Sequence, residues 1–311
     1  MTNTIQILLD ETESVRAELE ARREVYLRVF LMGAPMSFAA ICAIAAINTQ
    51  EGIFPWAAVG IMTLAAVVIG FQILNGLYRT QTKSAFLNKI AAALGLSYHR
   101  LGVFSLGEIQ AHKILPFHDV QKIEDGFSGS INGVDVAFEE VALADRVRSE
   151  NQEREEISFW GLVIRIRIGK VLDAHTVVLP RSATQTFFRT MFSSFERVKL
   201  VSPKFEEAYD VMSTSQVEAR YILDPAFMER FIEAGKLLGS RGTQASFRDR
   251  EIAFAVQRNR PMFEIGWLFR PLTGKSLEGV VDELKAVIAL IDALRLNPYH
   301  GLGASLPPRR E

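Results

Sequence analysis

Two uncharged stretches dominate the N-terminal third of the chain: VFLMGAPMSFAAICAIAAIN at residues 29–48 and IFPWAAVGIMTLAAVVIGFQILNGL at residues 53–77. A helix needs about 20 apolar residues to cross the hydrocarbon core of a bilayer, so both stretches are long enough to span it. The connector at residues 49–52 is too short for anything but a tight connection. We therefore predict a transmembrane helical hairpin over residues 29–77.

The basic residues around these stretches predict the orientation. Cytoplasmic flanks of membrane spans carry an excess of Lys and Arg, and the connector has neither residue. We expect both termini in the cytoplasm. Neither stretch contains Asp, Glu, Lys, Arg or His, the residues that mark most ion and proton pathways, so we interpret the hairpin as an anchor and not as a channel or transporter. The basic flanks are Arg16, Arg22, Arg23 and Arg28 before the first stretch, and Arg79, Lys83 and Lys89 after the second.

Whole-chain composition excludes some partners and sites. The formal net charge is −1, and Cys42 is the only cysteine. A nearly neutral chain gives no reason to expect a nucleic-acid partner. One cysteine cannot form an internal disulfide or a multi-cysteine zinc site. We expect neither.

Residues 1–28 are predicted to form a cytoplasmic helical stalk that continues into the first span. Spacings of three and four alternate along one face, which is typical of a helical seam with two polar interruptions. Two interpretations remain. The seam could pair two copies into a homo-oligomer, or it could pack against the chain's own cytoplasmic domain. The seam residues are Ile5, Leu8, Thr12, Val15, Leu19, Arg22, Tyr26 and Val29.

Beyond a short amphipathic helix at residues 84–96, strand signals dominate. Asn132-Gly133 separates two alternating runs, which is the strongest short signal for a β-hairpin. Residues 145–156 are almost wholly polar and are expected to form an exposed loop. Residues 164–168 alternate as a strand with one buried face, and we expect a turn at Gly169-Lys170 that returns the chain along residues 175–179.

A second half is expected to begin near Val198, so that the two halves meet near residues 181–198. We predict a strand at residues 221–223 and a helix that Asp224-Pro225 opens, over about residues 226–238. Further strands are predicted around residues 245–247, 252–256 and 262–267. A final amphipathic helix carries Leu277, Val280, Val281, Leu284, Val287, Ile288, Ile291 and Leu294 on one face.

Runs of strands with few helices between them are typical of an antiparallel α+β domain. The predicted fold class is therefore α+β, with an N-terminal transmembrane hairpin at residues 29–77 and a mainly antiparallel cytoplasmic domain over residues 78–300. Residues 301–311 are expected to form a disordered tail.

Two glycine-rich motifs are better explained by structure than by chemistry. Gly274-Lys275-Ser276 follows an expected strand, but Phe269 stands where a phosphate loop needs its first glycine, so we expect the start of a helix. Gly126-Phe127-Ser128-Gly129 lacks the second glycine of a nucleophile elbow because Ser130 occupies that place. We interpret this run as turns.

No set of titratable residues predicts a catalytic or metal site. His112, His118 and Asp119 lie close in sequence but have neither helical ligand spacing nor a cysteine partner. We therefore expect the histidines to be scattered over the surface; they are His99, His112, His118, His175 and His300. Glu124-Asp125 and Glu139-Glu140 could supply paired carboxylates. Neighbouring side chains on a strand point to opposite faces, so we expect these pairs to be solvated. We predict no catalytic, cofactor-binding or metal-binding residues, and no cofactor.

Residues 186–199 combine aromatic and basic side chains at helical spacing. Such a helix could lie in the headgroup layer of a membrane, or it could dock on the core of the domain. Both interpretations stay open. The aromatic and apolar positions are Phe187, Phe188, Met191, Phe192 and Phe195, and the basic ones are Arg181, Arg189, Arg197 and Lys199.

Several segments resemble the bacterial family known as domain of unknown function 3137. They are Leu19-Glu20 with Arg22-Arg23, the two spans, residues 124–129, Phe159-Trp160-Gly161-Leu162, and residues 216–225 followed by Phe227-Met228. The family usually has threonine where Asp224 stands. The resemblance implies a bacterial integral membrane protein with two spans. We accordingly expect the chain in the bacterial plasma (inner) membrane, as a two-pass protein with both termini in the cytoplasm. It implies no reaction, cofactor or catalytic residue.

Together these features predict a membrane-anchored cytoplasmic interaction or scaffold domain, and not an enzyme. Its expected partners are the lipid bilayer and another membrane or cytoplasmic protein. The alternatives are a membrane-bound hydrolase or transferase that uses scattered carboxylates with His112 or His118, and an accessory subunit of a membrane transport or envelope complex.

Overall fold

The computed structural model describes residues 2–48, 56–116, 118–131, 133–149, 152–181, 194–237 and 242–293. The chain divides into two compact units. We call residues 1–93 with 264–281 the helical unit, and residues 94–263 with 282–311 the sheet unit. The predicted tail, residues 301–311, lies outside the described residues.

Two long helices form most of the helical unit. Helix α1 is Thr2–Asn48 and helix α2 is Trp56–Ala93. Each contains a stretch of 18 strongly apolar residues, of which only 6% are buried. Both helices are therefore long and apolar enough to cross a membrane. Helix α1 runs without a break from the predicted stalk through the first apolar stretch, with Pro35 inside it.

The separate helix predicted at residues 84–96 is wrong, because α2 continues without a break to Ala93.

On the stalk, Val15 and Leu19 are fully buried in the single chain. The two helices are also joined by polar contacts: Lys89 Nζ lies 2.7 Å from Glu18 Oε2, and Tyr26 Oη lies 2.7 Å from Gln81 Oε1. This part of the predicted seam is thus covered by the chain itself.

The described strands form one antiparallel sheet, which confirms the α+β class. Its order is β1-β2-β3-β4-β6-β5, and β7 pairs with β4. The strands are β1 Leu96–His99, β2 Val120–Ile131, β3 Val134–Ser149, β4 Gln152–Pro180, β5 Glu196–Arg197, β6 Tyr209–Ser213 and β7 Gly242–Gln257. The helices are α3 Leu106–Gln110, α4 Pro203–Ala208, α5 Gln216–Ile222, α6 Pro225–Leu237 and α7 Gly274–Ala293.

Strand β4 is the spine of the sheet. It is 29 residues long, and its first part pairs with β3, its last part with β6, and both parts with β7. One core cluster includes Phe104, Ile114, Val141, Phe159 and Val163. Buried aromatic side chains also pack together between α6 and β7, namely Phe227, Phe231, Phe247 and Phe254.

The hairpin at residues 132–133 is confirmed. Ile131 pairs with Val134, and Gly133 has a φ of +80°, which glycine adopts at low cost. The loop expected at residues 145–156 is wrong, because β3 and β4 pair through it as a two-stranded ribbon. Residues of opposite charge face each other there, as in Arg146↔Glu155 and Arg148↔Glu153. Such cross-strand pairs stabilise a sheet even where both of its faces are exposed to solvent.

The turn expected at Gly169-Lys170 is also wrong, because β4 continues to Pro180. Its register with β7 shifts between Arg167 and Leu172 and again before Thr176. The strand therefore accommodates extra residues as irregularities of the ladder, as bulges do. Residues 175–179 pair with β6 and β7 instead of returning along residues 164–168.

In the second half, the helix opened by Asp224-Pro225 is confirmed as α6, and Asp224 Oδ1 accepts a 2.7 Å hydrogen bond from Phe227 N. The strand predicted at residues 221–223 is wrong, because the chain is helical up to Ile222. This helix is α5, and Ser215 is its N-cap. The strands at 245–247 and 252–256 are one strand, β7. Residues 262–267 hold only the bridge between Trp267 and Arg270.

The final amphipathic helix is confirmed as α7, with Leu277, Val280, Val281, Leu284, Val287 and Ile291 buried. It begins at Gly274, as expected for a helix start. Most of the aromatic segment, residues 186–193, lies outside the described residues. A helix over residues 196–199 is wrong, because β5 pairs there with β6.

Candidate functional site

Distant segments of the sheet unit bring two histidines to one serine. His112 follows α3, His175 lies on β4, and Ser246 lies on β7. The Oγ atom of Ser246 is 3.1 Å from His112 Nδ1 and 3.0 Å from His175 Nε2. On its other side, His112 Nε2 is 3.4 Å from Glu251 Oε2. We call these four residues the histidine–serine cluster.

The hydrogen bonds of this cluster have one consistent direction. Burial lowers the pKa of His112 against the opposing charge of Glu251, and burial lowers the pKa of His175 to about 4, so both rings are neutral near pH 7. His175 Nε2 is 3.2 Å from the carbonyl oxygen of His112, which can only accept, so this nitrogen carries the proton. Ser246 then donates to His112 Nδ1, and His112 Nε2–H donates to Glu251.

The order serine–histidine–carboxylate is that of an activated nucleophile. The serine, however, must be reached by a substrate, and Ser246 is 0% and His112 5% exposed. In the folded chain the cluster instead fastens the turn after α3 to β4 and β7. Arg248 contributes to the same attachment, since its Nη1 donates to the carbonyl oxygen of Ala111 at 3.1 Å.

The expectation of scattered surface histidines is wrong for His112. It fails because His112 becomes buried through contacts with residues 63 and 134 positions away. His118 does not join the cluster, since its Nδ1 lies 3.1 Å from the carbonyl oxygen of Pro116. Asp119 accepts from the backbone N–H of Arg146 at 3.1 Å. Within the described part of the chain, no three His, Cys, Asp or Glu residues are placed to hold a metal ion.

The carboxylates of Glu139 and Glu140 are buried, so their expected solvation is wrong. Glu139 Oε2 accepts from the N–H groups of Val103 at 2.6 Å and Phe104 at 3.0 Å. Burial nevertheless raises the pKa of Glu139. Glu140 Oε1 accepts from Trp160 Nε1 at 2.7 Å. Each carboxylate thus serves separate donors.

The other carboxylate pair is divided by an irregularity of β2 between Glu124 and Phe127. Asp125 has a φ of +51° and is buried, and its Oδ1 accepts a 2.7 Å hydrogen bond from Tyr98 Oη. Glu124 pairs with Lys122, with 3.0 Å between nitrogen and oxygen. The glycine-rich run at residues 126–129 therefore lies in a strand at a bulge, and the expected turns are wrong.

A groove opens on the sheet at the root of the β3–β4 ribbon, with a volume of about 240 Å³. We call it the sheet groove. Its apolar lining includes two alanines, Trp160 and Ile157, and Ile157 is 58% exposed. Three carboxylates and one lysine line it. Its lining residues are Val120, Lys122, Glu124, Glu140, Ala142, Leu143, Ala144, Glu155, Ile157 and Trp160.

Sequence reasoning missed both sites. The histidine–serine cluster joins residues from three separate elements. The groove exists because β2, β3 and β4 lie side by side, which places Lys122 opposite Ala142 and Ala142 opposite Trp160. The neighbouring aromatic residues Phe159 and Trp160 of β4 were a local signal for the groove.

Comparison with known proteins finds a family match for only part of the chain. No curated protein matches it. The crystal structure of the mycobacterial trehalose monomycolate transport factor A is 12% identical and covers 67% of this chain and 93% of that chain, with a TM-score of 0.35, which is too low to indicate a shared fold. Residues 157–296 match the family described as protein of unknown function (DUF3137). Through this region, from β4 to the end of α7, the chain resembles the DUF3137 family.

Proposed function

We propose that this chain is a two-pass protein of a bacterial plasma (inner) membrane, with both termini in the cytoplasm, and that its sheet unit is a non-enzymatic domain that binds a protein partner. The exposed apolar faces of α1 and α2 support the membrane part. Large apolar side chains are exposed on these faces. Exposing them is unfavourable in water and favourable in lipid. They include Leu31, Met32, Met36, Ile61, Leu64 and Ile73.

The observation that carries the binding function is the sheet groove. A groove lined by alanines, a tryptophan and an exposed isoleucine is the kind of surface that proteins use to receive an anchoring side chain. Trp160 is held in one orientation by its hydrogen bond to Glu140, so the wall of the groove is preorganised. A preorganised aromatic wall reduces the entropy that binding costs.

The charge around the groove indicates the chemistry of the partner. Glu140 is buried, and of the other charged lining residues the carboxylates of Glu124 and Glu155 outnumber the single amine of Lys122. A negative rim favours a positively charged partner surface. The expected ligand is therefore a protein segment with one apolar anchoring side chain flanked by Lys or Arg.

In vivo photo-crosslinking tests this proposal. A photoreactive residue in place of Lys122, whose side chain is 69% exposed, should capture one reproducible protein partner. Ile157→Glu should abolish the capture, because it places a charge against the apolar anchor. Val217→Glu is the matched control: Val217 is 79% exposed and lies on α5, so capture should persist. Capture that survives Ile157→Glu would overturn the groove as the binding site.

The hydrolase alternative keeps one supporting observation, the order Ser246–His112–Glu251. It requires an opening that exposes Ser246. Labelling of Ser246 by a fluorophosphonate probe in the folded full-length chain, lost in Ser246→Ala, would favour it. The accessory-subunit alternative is supported by the exposed faces of α1 and α2, and crosslinks from those faces to a protein with many spans would favour it.

A further inference from the structure

An aromatic turn in the helical unit packs on both long helices. Residues 266–270, which we call the aromatic turn, carry Trp267 and Phe269. The ring of Phe269 stacks on Phe71 of α2, with 5.0 Å between centroids and 12° between planes. It also meets Phe30 of α1 edge-on at 5.5 Å, and Trp267 lies 6.2 Å from Phe71. The turn is therefore part of the same apolar surface as the two helices.

Hydrogen bonds to the helices fix the backbone of the turn. The N–H of Leu268 donates to Asn75 Oδ1 at 3.1 Å, and the carbonyl oxygen of Leu268 accepts from Arg23 Nη1 at 3.0 Å. The N–H of Arg270 donates to the carbonyl oxygen of Trp267 at 2.9 Å. Non-helical backbone is tolerated at membrane depth when its polar groups find partners in the protein, and these four groups do.

Two further contacts hold the ends of the turn. Gly266 has a φ of +76°, and a side chain there would meet the ring of Tyr78 at 3.2 Å. Glu264 is paired with Lys83, with 2.9 Å between Nζ and Oε1, and with Arg79. The turn thus has one defined position against α2.

Trp267 and Phe269 remain exposed in spite of these contacts. Trp267 is 46% and Phe269 49% exposed, although both side chains are large and apolar. Leu31, Met32 and Ile73, which lie within two residues of the contacted Phe30 and Phe71 in the sequence, are exposed as well. The environment that covers this helical surface would therefore cover the turn as well.

The position of the contacts along the helices matches the cytoplasmic edge of a bilayer. Phe30 lies two residues after Arg28, and Phe71 lies eight residues before Arg79. At a rise of 1.5 Å per residue, the two rings lie about 3 Å and about 12 Å from those charges along the helix axes. This is the boundary between headgroups and acyl chains, where tryptophan is enriched and interfacial segments bury their apolar side chains.

We propose that the aromatic turn is a third membrane-contacting element, which inserts Trp267 and Phe269 into the cytoplasmic headgroup–acyl boundary of the bilayer. The occupant of this surface is lipid. The proposal rests on the proposed membrane-spanning hairpin. Arg270, at the end of the turn, extends its charged group to the phosphate layer, as arginine does at membrane interfaces.

Tryptophan fluorescence of the full-length chain in lipid nanodiscs tests the proposal. The chain has three tryptophans, Trp56, Trp160 and Trp267, and Trp→Phe substitutions leave one at a time. The nanodiscs contain phosphatidylcholine and phosphatidylglycerol, with bromine either high or low on the acyl chains. Trp267 emission should fall about twofold or more with lipid brominated near the headgroup, and less with lipid brominated near the chain end.

The other two tryptophans are the controls. Trp56 lies at the start of α2 and should be quenched if the hairpin spans the bilayer, so an unquenched Trp56 would contradict the proposed membrane anchoring itself. Trp160 of the sheet unit should keep its emission. Quenching of Trp56 without quenching of Trp267 would overturn the aromatic turn alone, and equal quenching of Trp160 and Trp267 would overturn it too, because the effect would then be unspecific.

Discussion

Removing the hydroxyl of Ser246 should destabilise the sheet unit. Ser246→Ala deletes the atom that lies 3.1 Å from His112 Nδ1 and 3.0 Å from His175 Nε2. His175 keeps its contact with the carbonyl oxygen of His112, but His112 Nδ1 loses its donor while buried. A buried polar atom left without its partner costs about 1–3 kcal/mol. We expect a loss of about 2 kcal/mol in the free energy of unfolding.

Thermal unfolding of the full-length chain in detergent, followed by near-ultraviolet circular dichroism, measures this loss. For a domain of this size, 1 kcal/mol corresponds to about 2–4 °C, so the midpoint should fall by roughly 4–8 °C. The matched control is Ser128→Ala. Its Oγ lies 3.0 Å from His99 Nε2 at the surface, where water replaces the lost partner, so the midpoint should move by about 1 °C or less.

Equal shifts for Ser246→Ala and Ser128→Ala would refute the reasoning. They would mean that burial of the cluster adds nothing to the cost of breaking it. A midpoint that rises in Ser246→Ala would refute the directional hydrogen-bond arrangement as well, because that arrangement satisfies every nitrogen that faces the serine.

Three further predictions concern acid stability, the hairpin and the topology. Burial lowers the pKa of His175 from 6.5 to about 4, so between about pH 6.5 and 4 the unfolded chain binds more protons at this site and stability should fall as the pH falls. His175→Phe should flatten the dependence of the melting midpoint on pH in that window, and an unchanged slope would contradict the assignment. Gly133→Val should cost about 1 kcal/mol or more in a thermal melt, because a φ of +80° is strained for valine. Nothing lies within 4 Å of an added Cβ, so the cost comes from the backbone conformation, and an unchanged midpoint would exclude the turn. In a Cys42→Ser background, a membrane-impermeant maleimide should label cysteine at Gln50 but not at Asn151 in intact cells with a permeable outer membrane, and the reverse pattern would contradict cytoplasmic termini.

Local signals predicted the elements that local interactions stabilise. Asn132-Gly133 identified its hairpin because the turn conformation depends on those two residues. Asp224-Pro225 identified α6 because an aspartate oxygen caps a helix whose first residue is proline. The period of α7 identified its buried face because the apolar positions recur along one side.

The predictions that were wrong share a different cause, which is that residues outside the segment determine its structure. Residues 145–156 are too polar to suggest a strand, yet their charges pair across the ribbon once β3 and β4 are aligned. Gly169-Lys170 suggests a turn, but β7 pairs with β4 on both sides of it. Residues 221–223 have strand propensity, but the Ser215 cap starts a helix that includes Ile222.

The sequence by itself determined the two apolar helices and the α+β class, because apolar composition and hydrophobic periodicity can be read from short stretches of chain. Only the tertiary structure decided where His112, His175 and Ser246 meet, where the sheet groove opens, and which rings Phe269 contacts. Ser246 lies 134 residues from His112, and Phe269 lies far along the chain from both Phe30 and Phe71. Hydrogen bonds and ring contacts act over a few ångströms, so they form only where strand register and helix packing bring these groups together. A short stretch of sequence therefore cannot predict them.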